Sequence, residues 1–255
     1  MFDFIRKPLL WQAWDAGLDE EVLDIGEDRT RRQLLSQNVH TFQLKSMQDL
    51  AVYVHLRDLS GKQIAEVGAG NSRLLPRRAQ ANTCVAVERY EGQGGGPTTA
   101  SPIPGVHVVP VFLGESSPLL AAESFDVVFS ISVVEHVPTE ELAAFHEDQL
   151  RVLKPGGMFI HAIDVYLEDE PSAYHLQRLD AYRSWITSGN VKPVGHIYEG
   201  PCRFTCDLAT NPDNVMYAWG RVAPALIELR QAAQLVSLLV AGRKLDGGSR
   251  PDRDG

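Results

Sequence analysis

Residues 64–72 read IAEVGAGNS: an apolar run carrying one acid, Glu66, ends at Gly68 and Gly70 with a single residue between them. The segment QIAEVG reads as a buried strand, and glycines directly after a strand allow a tight turn. With no Cβ in the way, the backbone there can pass close to a ligand. In open α/β sheets, ligands sit beyond the carboxyl ends of the strands, where this turn would lie. The plain alternative is a structural turn with no ligand. A dinucleotide fingerprint needs a third glycine three residues after the second, and Arg73 stands there. No phosphate loop ending in Gly-Lys-Ser/Thr is present, and Glu66 would repel a pyrophosphate. Glu88 closes the next apolar run, VAVE, 18 residues past Gly70. An acid at that strand end can accept from both hydroxyls of a ribose. The pattern therefore asks for a ligand with a ribose and a cationic or amino-acid portion.

Outward from this turn, apolar strands alternate with helices. RLLPRRAQ (73–80) predicts a short helix, TCVAVE (83–88) a second strand and 91–104 a Gly- and Pro-rich loop. VHVVPVF (106–112) predicts a third strand, with Pro110 marking a bulge or an end. FDVVFSIS (125–132) is a fourth strand. TEELAAFHEDQLRVL (139–153) is a helix with Thr139 as expected N-cap, stopped by KPGG, and MFIHAIDVY (158–166) is a fifth strand. This alternation implies a parallel sheet covered on both faces, an α/β fold. Beyond it, 171–187 reads as helix, 190–215 as irregular, 221–234 as helix and LVSLLVAG (235–242) as a last strand. The polar tail 245–255 is expected to be disordered. Residues 1–58 carry helical patterning near 8–16, 19–36 and 40–58, expected to form a flank or lid, with residues 165–220 as an acceptor-side insertion.

The chain has 255 residues, 44% hydrophobic and 22% charged, which suits one globular domain. No apolar run reaches 18 residues, so no membrane insertion is expected. Asp3, Arg6 and Lys7 interrupt the apolar N-terminus, which reads as an amphipathic helix packed on the domain rather than a signal peptide. Three cysteines suit a reducing cytoplasm. A net charge of −9 argues against a broad grip on nucleic acid and favours a small-molecule partner. Arg31-Arg32 and Arg77-Arg78 read as solvated helix faces.

Together, IAEVGAGNS, VAVE, FDVVFSISVVEHV and LRVLKPGGMFI resemble, in order and spacing, the successive motifs of class I S-adenosylmethionine-dependent methyltransferases. The resemblance spans roughly residues 60–165, with LVSLLVAG as a plausible family ending. It implies a Rossmann-like, doubly wound, seven-stranded, mostly parallel sheet with strand seven antiparallel, and S-adenosylmethionine as cofactor. By the same resemblance Glu66, Gly68, Ala69 and Gly70 would line its methionine portion. Glu88, with Arg89 beside it, would bind the ribose, and Ser130 and Ile131 would border the methionine and sulfonium. Two positions depart from the family. Ser72 replaces its usual third glycine, where it can still cap the helix. Phe112 or Leu113, with Glu115 nearby, occupies the place of an adenine-binding aspartate, which leaves adenine to backbone groups and an apolar wall.

Methyl transfer to a hydroxyl needs alignment and a base. His136, just after the fourth strand, is a suitable base, and Asp164, at the end of the fifth, would orient it or bind the acceptor. Some methyltransferases that modify sugars on natural products resemble this, although their pair can be His-His where this chain has Glu135-His136. The alternative is that the pair only shapes the pocket. Glu-x-x-Glu-His metal sites are a further comparison. Here Ser132 stands in place of the first acid, so no metal is expected unless Asp164 substitutes. His196, Cys202 and Cys206 match no standard zinc spacing and read as ordinary residues. His161 reads as a core histidine, and His146 and His175 as surface positions. Tyr166, Tyr174, Tyr182, Trp185, Tyr198, Tyr217 and Trp219 crowd the acceptor side, where core packing competes with recognition. The expected function is O-methylation of a hydroxyl on a sugar, glycoconjugate or natural product. The rivals are an RNA or protein methyltransferase, a cofactor-binding module without transfer, and a nicotinamide-dependent enzyme.

Overall fold

The computed structural model describes residues 1–5, 44–92, 96–100, 102–168, 170–200 and 233–246. In chain order its elements are β1 (Phe2–Phe4), α1 (Leu44–Leu56), β2 (Gln63–Val67), α2 (Leu75–Arg78), β3 (Thr83–Val87), β4 (Val106–Val109) and β5 (Phe125–Ile131). Then come α3 (Leu142–Val152), β6 (Leu153–Glu168), α4 (Ala173–Thr187), β7 (Val191–Pro193) and β8 (Ala233–Lys244). The apolar runs read from the sequence thus become strands. Strands β2, β3, β4, β5 and β6 pair in parallel, because each returns through a crossover. The order is β1-β8-β6-β5-β2-β3-β4. It runs outward from β2 in both directions, so the crevice beyond the carboxyl end of β2 is the switch point where such sheets bind ligands. The glycine turn stands there.

Among the described residues the sheet has eight strands rather than seven. Strand β8 pairs antiparallel with β6 from Met158↔Arg243 to Glu168↔Ala233, and its other edge carries two short strands. There β1 pairs Phe2↔Val240 to Phe4↔Leu238, and β7 pairs Val191↔Lys244 to Pro193↔Gly242. The first residues of the chain therefore extend the sheet instead of joining a helical flank. Phe2 and Phe4 are buried, and their alternation around the half-buried Asp3 is the two-residue period of a strand, too short to stand out in sequence. The helices expected near 8–16, 19–36 and 221–234 lie outside the described residues, as does nearly all of the tail.

Several local expectations change in the fold. β4 stops at Val109, directly before Pro110, which has no N–H to donate. α3 begins at Leu142 after a 3₁₀ turn over Thr139–Glu141. Thr139 does not cap it; its hydroxyl accepts from Arg178 at 3.0 Å. α3 ends at Val152, before the KPGG segment, and Leu153 opens β6. Arg78 is buried rather than solvated, and its guanidinium donates to the Leu59 carbonyl at 2.6 Å. His146 is also buried, stacked on Trp185 with ring centroids 5.1 Å apart.

His146 ends a polar chain through the core. Ser130 donates to His161 Nδ1 at 2.7 Å, His161 Nε2 donates to Gln149 Oε1 at 2.7 Å, and the Gln149 amide donates to His146 Nδ1 at 2.6 Å. The direction follows from placing the amide nitrogen of Gln149 against His146. Burial pushes His161 down to about 3 and His146 down to about 4. No helix among the described residues is long and apolar enough to cross a membrane.

Candidate active site

Gly68 and Gly70 adopt φ of +62° and +48°, the left-handed region that strains residues with a Cβ. Gly68 has a second reason to be glycine. A Cβ there would lie 2.5 Å from Val133 Cγ2 and 2.8 Å from Cγ1, so the turn packs backbone against the segment that follows β5. Its N–H donates to the Val87 carbonyl at 2.9 Å, which ties the turn to β3. Over this turn opens a cavity of about 1100 Å³. Of the residues singled out from sequence, Glu66, Gly68, Ala69, Gly70, Glu88, Arg89, Phe112, Leu113, Ile131 and His136 line it together.

At the cavity floor Glu66 is 5% exposed and accepts from the Ser72 hydroxyl. Burial, with the Asp49 charge adding to it, pushes its carboxyl up to about 8 against the pull of Ser72, Arg73 and Lys45. Ser72 also accepts from the Leu75 N–H at 3.0 Å, so it serves the helix start as its position suggested. Beside Glu66, Arg73 grips the buried Asp49 of α1 through Nε and, at 2.8 Å, through a terminal nitrogen. Burial still raises the Asp49 carboxyl, with Arg73 opposing. Lys45, one turn earlier on α1, lines the same cavity.

On the β3 side the Glu88 carboxylate accepts from the Tyr90 N–H at 2.9 Å. The Arg89 guanidinium lies 4.8 Å over the Phe112 ring and pairs with Glu115 at 2.9 Å and Glu91 at 3.3 Å. The loop carrying Phe112 and Leu113 is held from α3, where Asp148 accepts from Gly114 N–H at 2.8 Å and Ser116 N–H at 3.2 Å.

Beyond β5, the two residues expected to border the ligand separate. Ile131 lines the cavity, whereas Ser130 is wholly buried on the opposite face against His161. Successive strand residues face opposite ways, so both could not serve. Asp164 is likewise outside the described cavity wall. Gln48 of α1 donates to its carboxylate and to Ser237 Oγ at 3.0 Å. Ser132 donates to Gln48 at 2.8 Å and lies 3.5 Å from Asp164. The carboxylate paired with His136 is that of Glu135, at 4.0 Å, and the His136 ring is half exposed. Burial and the neighbouring Asp164 charge raise the Glu135 carboxyl; burial also raises that of Asp164. Neither Glu135 oxygen meets a donor at ideal hydrogen-bond geometry, but the backbone N–H groups of Glu135 and Asp164 approach the carboxylate and oppose the rise.

The central segment of the chain is similar to known proteins. Residues 65–161 match the family described as a methyltransferase domain. Over those residues the chain is similar to that family. No curated protein matches the chain by sequence. Among solved structures, phosphoethanolamine N-methyltransferase 2 of Haemonchus contortus superposes with a TM-score of 0.52 at 14% identity, covering 88% of this chain and 59% of that one. Geranyl diphosphate C-methyltransferase of Streptomyces coelicolor A3(2) gives 0.48 at 12% identity, covering 84% and 80%. The 1,6-didemethyltoxoflavin-N1-methyltransferase of Burkholderia thailandensis gives 0.47 at 15%, covering 89% of each chain. At 14% identity the first likeness speaks to the fold alone.

Several residues that shape this site carry no local signal. Gln48 and Asp49 read as ordinary polar positions of a helical segment, and Arg73 only as the residue that breaks a dinucleotide fingerprint. Arg178 lies in a segment read only as helix, and it is buried and binds the carbonyls of Val134 and Val137, each at 2.9 Å. The one available clue lay in SVVEH, where Glu135 was weighed as a metal ligand rather than as His136's neighbour. Among the described residues no group of His, Cys, Asp and Glu is arranged to hold a metal ion. Cys202, Cys206, Tyr217 and Trp219 lie outside them. His196 pairs with Asp3 at 2.9 Å, and Tyr182 and Trp185 are buried core residues.

Proposed function

We propose that the protein is an S-adenosylmethionine-dependent methyltransferase that methylates a hydroxyl on a small molecule, of the sugar, glycoconjugate or natural-product class. The observation that carries the reading is the shared cavity: a buried Glu66 beneath the Gly68–Gly70 turn at one end, and a half-exposed His136 at the other. The residues present suit S-adenosylmethionine. Glu66, buried with only a hydroxyl partner, fits an ammonium that would restore its charge. Arg73 and Lys45 beside it fit a carboxylate. Glu88 at the end of β3 fits the ribose diol, and Phe112 and Leu113 offer an apolar wall to adenine. The cofactor supplies a methyl group activated by sulfonium.

The chain's own work is then alignment and proton removal. The Gly68 turn and Val133 set the floor and the facing wall, with no Cβ between them. Alignment of this kind is worth effective molarities on the order of 10⁵ M or more. His136 accepts the hydroxyl proton, and such a base contributes roughly 10²–10⁴-fold. The test is incubation with S-adenosylmethionine and panels of hydroxylated, amine-bearing and RNA acceptors, read by mass. A one-methyl gain confined to hydroxylated small molecules is the expected result. Gain only on amines or RNA overturns the acceptor class, and cofactor retained unchanged beside every acceptor marks a binding module.

A further inference from the structure

Residues other than glycine avoid the left-handed backbone region, and one held there at a functional site asks for a cause. Among the described residues Tyr90, Ser116, Glu123 and Ser132 adopt positive φ, and of these Ser132 alone lines the cavity. Its φ is +52°, directly after β5 ends at Ile131. The bend is gripped from two sides. Ser132 N–H donates to the Ala162 carbonyl of β6 at 2.9 Å, and its hydroxyl donates to Gln48 Oε1 of α1 at 2.8 Å. Gln48 is 1% exposed, and its amide nitrogen donates to Asp164 and to Ser237 Oγ. Placing that nitrogen against the carboxylate turns the amide oxygen toward Ser132, so position 132 must supply a donor. An acid there, as in the Glu-x-x-Glu-His comparison, would set oxygen against oxygen.

What the bend presents follows from its place in the chain. The next residue, Val133, packs on Gly68, where a Cβ would come within 2.5 Å of its Cγ2. The 3₁₀ turn Val134–His136 then brings His136 to the cavity. Arg178 holds the far end of that turn through the Val134 and Val137 carbonyls, each at 2.9 Å. Ser132 holds the near end. We propose that Ser132 is a positioning residue for methyl transfer: through its bond to Gln48 it keeps the left-handed bend that sets Val133 against the glycine turn and His136 at the acceptor end. This rests on the methyl-transfer reading above and deepens it. Ser132 itself neither makes nor breaks a bond. Its anchor is shared, because Asp49, the neighbour of Gln48 on α1, grips Arg73 beside Glu66. One turn of α1 thus ties both ends of the cavity. A glycine at 132 would take the same φ without strain, but it would leave Gln48 Oε1 unmet and the bend free to relax.

The test compares wild type with Ser132→Ala, Ser132→Gly and Ser132→Asn. Alanine drops the hydroxyl and keeps the strain, glycine drops both, and asparagine tolerates the left-handed region and keeps a donor. Two measurements need no acceptor. In urea, Ser132→Gly should show a folding constant about fivefold or more above that of Ser132→Ala. In amide hydrogen exchange, residues 133–137 of Ser132→Gly should exchange about fivefold or more faster than in wild type, with the amides of β8 unchanged. The third measurement uses the hydroxyl acceptor found by the mass screen and separates positioning from plain stability. Turnover, as kcat, should fall about tenfold or more in both Ser132→Ala and Ser132→Gly while KM for S-adenosylmethionine stays within about threefold, and Ser132→Asn should recover part of the loss. A glycine variant that regains turnover along with stability makes the residue merely structural and overturns the proposal. Unchanged exchange at 133–137, or equal stability of the alanine and glycine variants, overturns it too. A wild type that methylates no acceptor overturns the methyl-transfer reading, and this inference with it.

Discussion

Replacing Gly68 with alanine separates two costs that the structure keeps distinct. The first is conformational: at φ +62° a Cβ crowds the following carbonyl, at about 1–2 kcal/mol. The second is steric. The new methyl would meet Val133 Cγ2 at 2.5 Å and Cγ1 at 2.8 Å, and a β-branched side chain has little rotamer freedom with which to yield. Overpacking of this kind costs about 1–3 kcal/mol. The sum, about 2–5 kcal/mol, is a large share of the roughly 5–15 kcal/mol that holds a domain folded. Urea titration at neutral pH measures it, and calorimetry with S-adenosylhomocysteine shows whether the cradle survives in the folded fraction. Val133→Ala removes both clashing methyls, leaving Cβ at 3.2 Å, so in that background Gly68→Ala should lose most of its steric cost and keep the conformational part. Gly70→Ala is the control: its Cβ meets nothing nearer than Pro97 Cδ at 3.4 Å, an ordinary contact, so it should show the φ cost alone. Equal losses for Gly68→Ala with and without Val133 would refute the steric reasoning.

Three further outcomes follow from the buried charges. With its carboxyl held up to about 8, Glu66 is protonated in the empty cavity at neutral pH and must ionise to meet an ammonium. Cofactor binding should therefore release protons and tighten as pH rises toward 8, an effect absent in Glu66→Gln; calorimetry in buffers of different ionisation enthalpy that finds no proton release contradicts it. His161 and His146, held down to about 3 and about 4, stay neutral in the folded chain while the unfolded chain takes up protons below about pH 6.5. Each should then cost about 1.4 kcal/mol of stability per pH unit on acidification from there. The slope belonging to His161 is the difference between wild-type and His161→Gln urea curves, and coincident slopes would count against the buried relay. Arg73→Met strands the Asp49 carboxylate and should destabilise by roughly 1–3 kcal/mol at neutral pH, with Asp49→Asn restoring part of the loss; if the second change adds to the first, the pair is not coupled.

What could be read in advance was local in origin. The turn at Gly68 and Gly70 was legible because positive φ selects glycine at the position itself. The strands at 63–67, 83–87 and 125–131 were legible because burial on both faces leaves a mostly apolar run with few polar residues in it. Phe2–Phe4 was not, since three residues show no period and their partner, β8, lies more than two hundred residues away. Ser130 was misplaced for a related reason. Its strand was clear, but which of two adjacent residues faces the cavity depends on how β5 registers with β2 and β6.

By itself, then, the order of residues determined the strand-and-helix alternation, the glycine turn at the switch point and the acids at the ends of β2 and β3. These depend on backbone conformation and hydrophobic period, properties of neighbours in the chain. Only the tertiary structure decided that Gln48 would hold Asp164 and that Asp49 would grip Arg73. Such pairings set the charge of the site, and they arise because folding removes water from groups far apart in sequence and leaves them each other as partners.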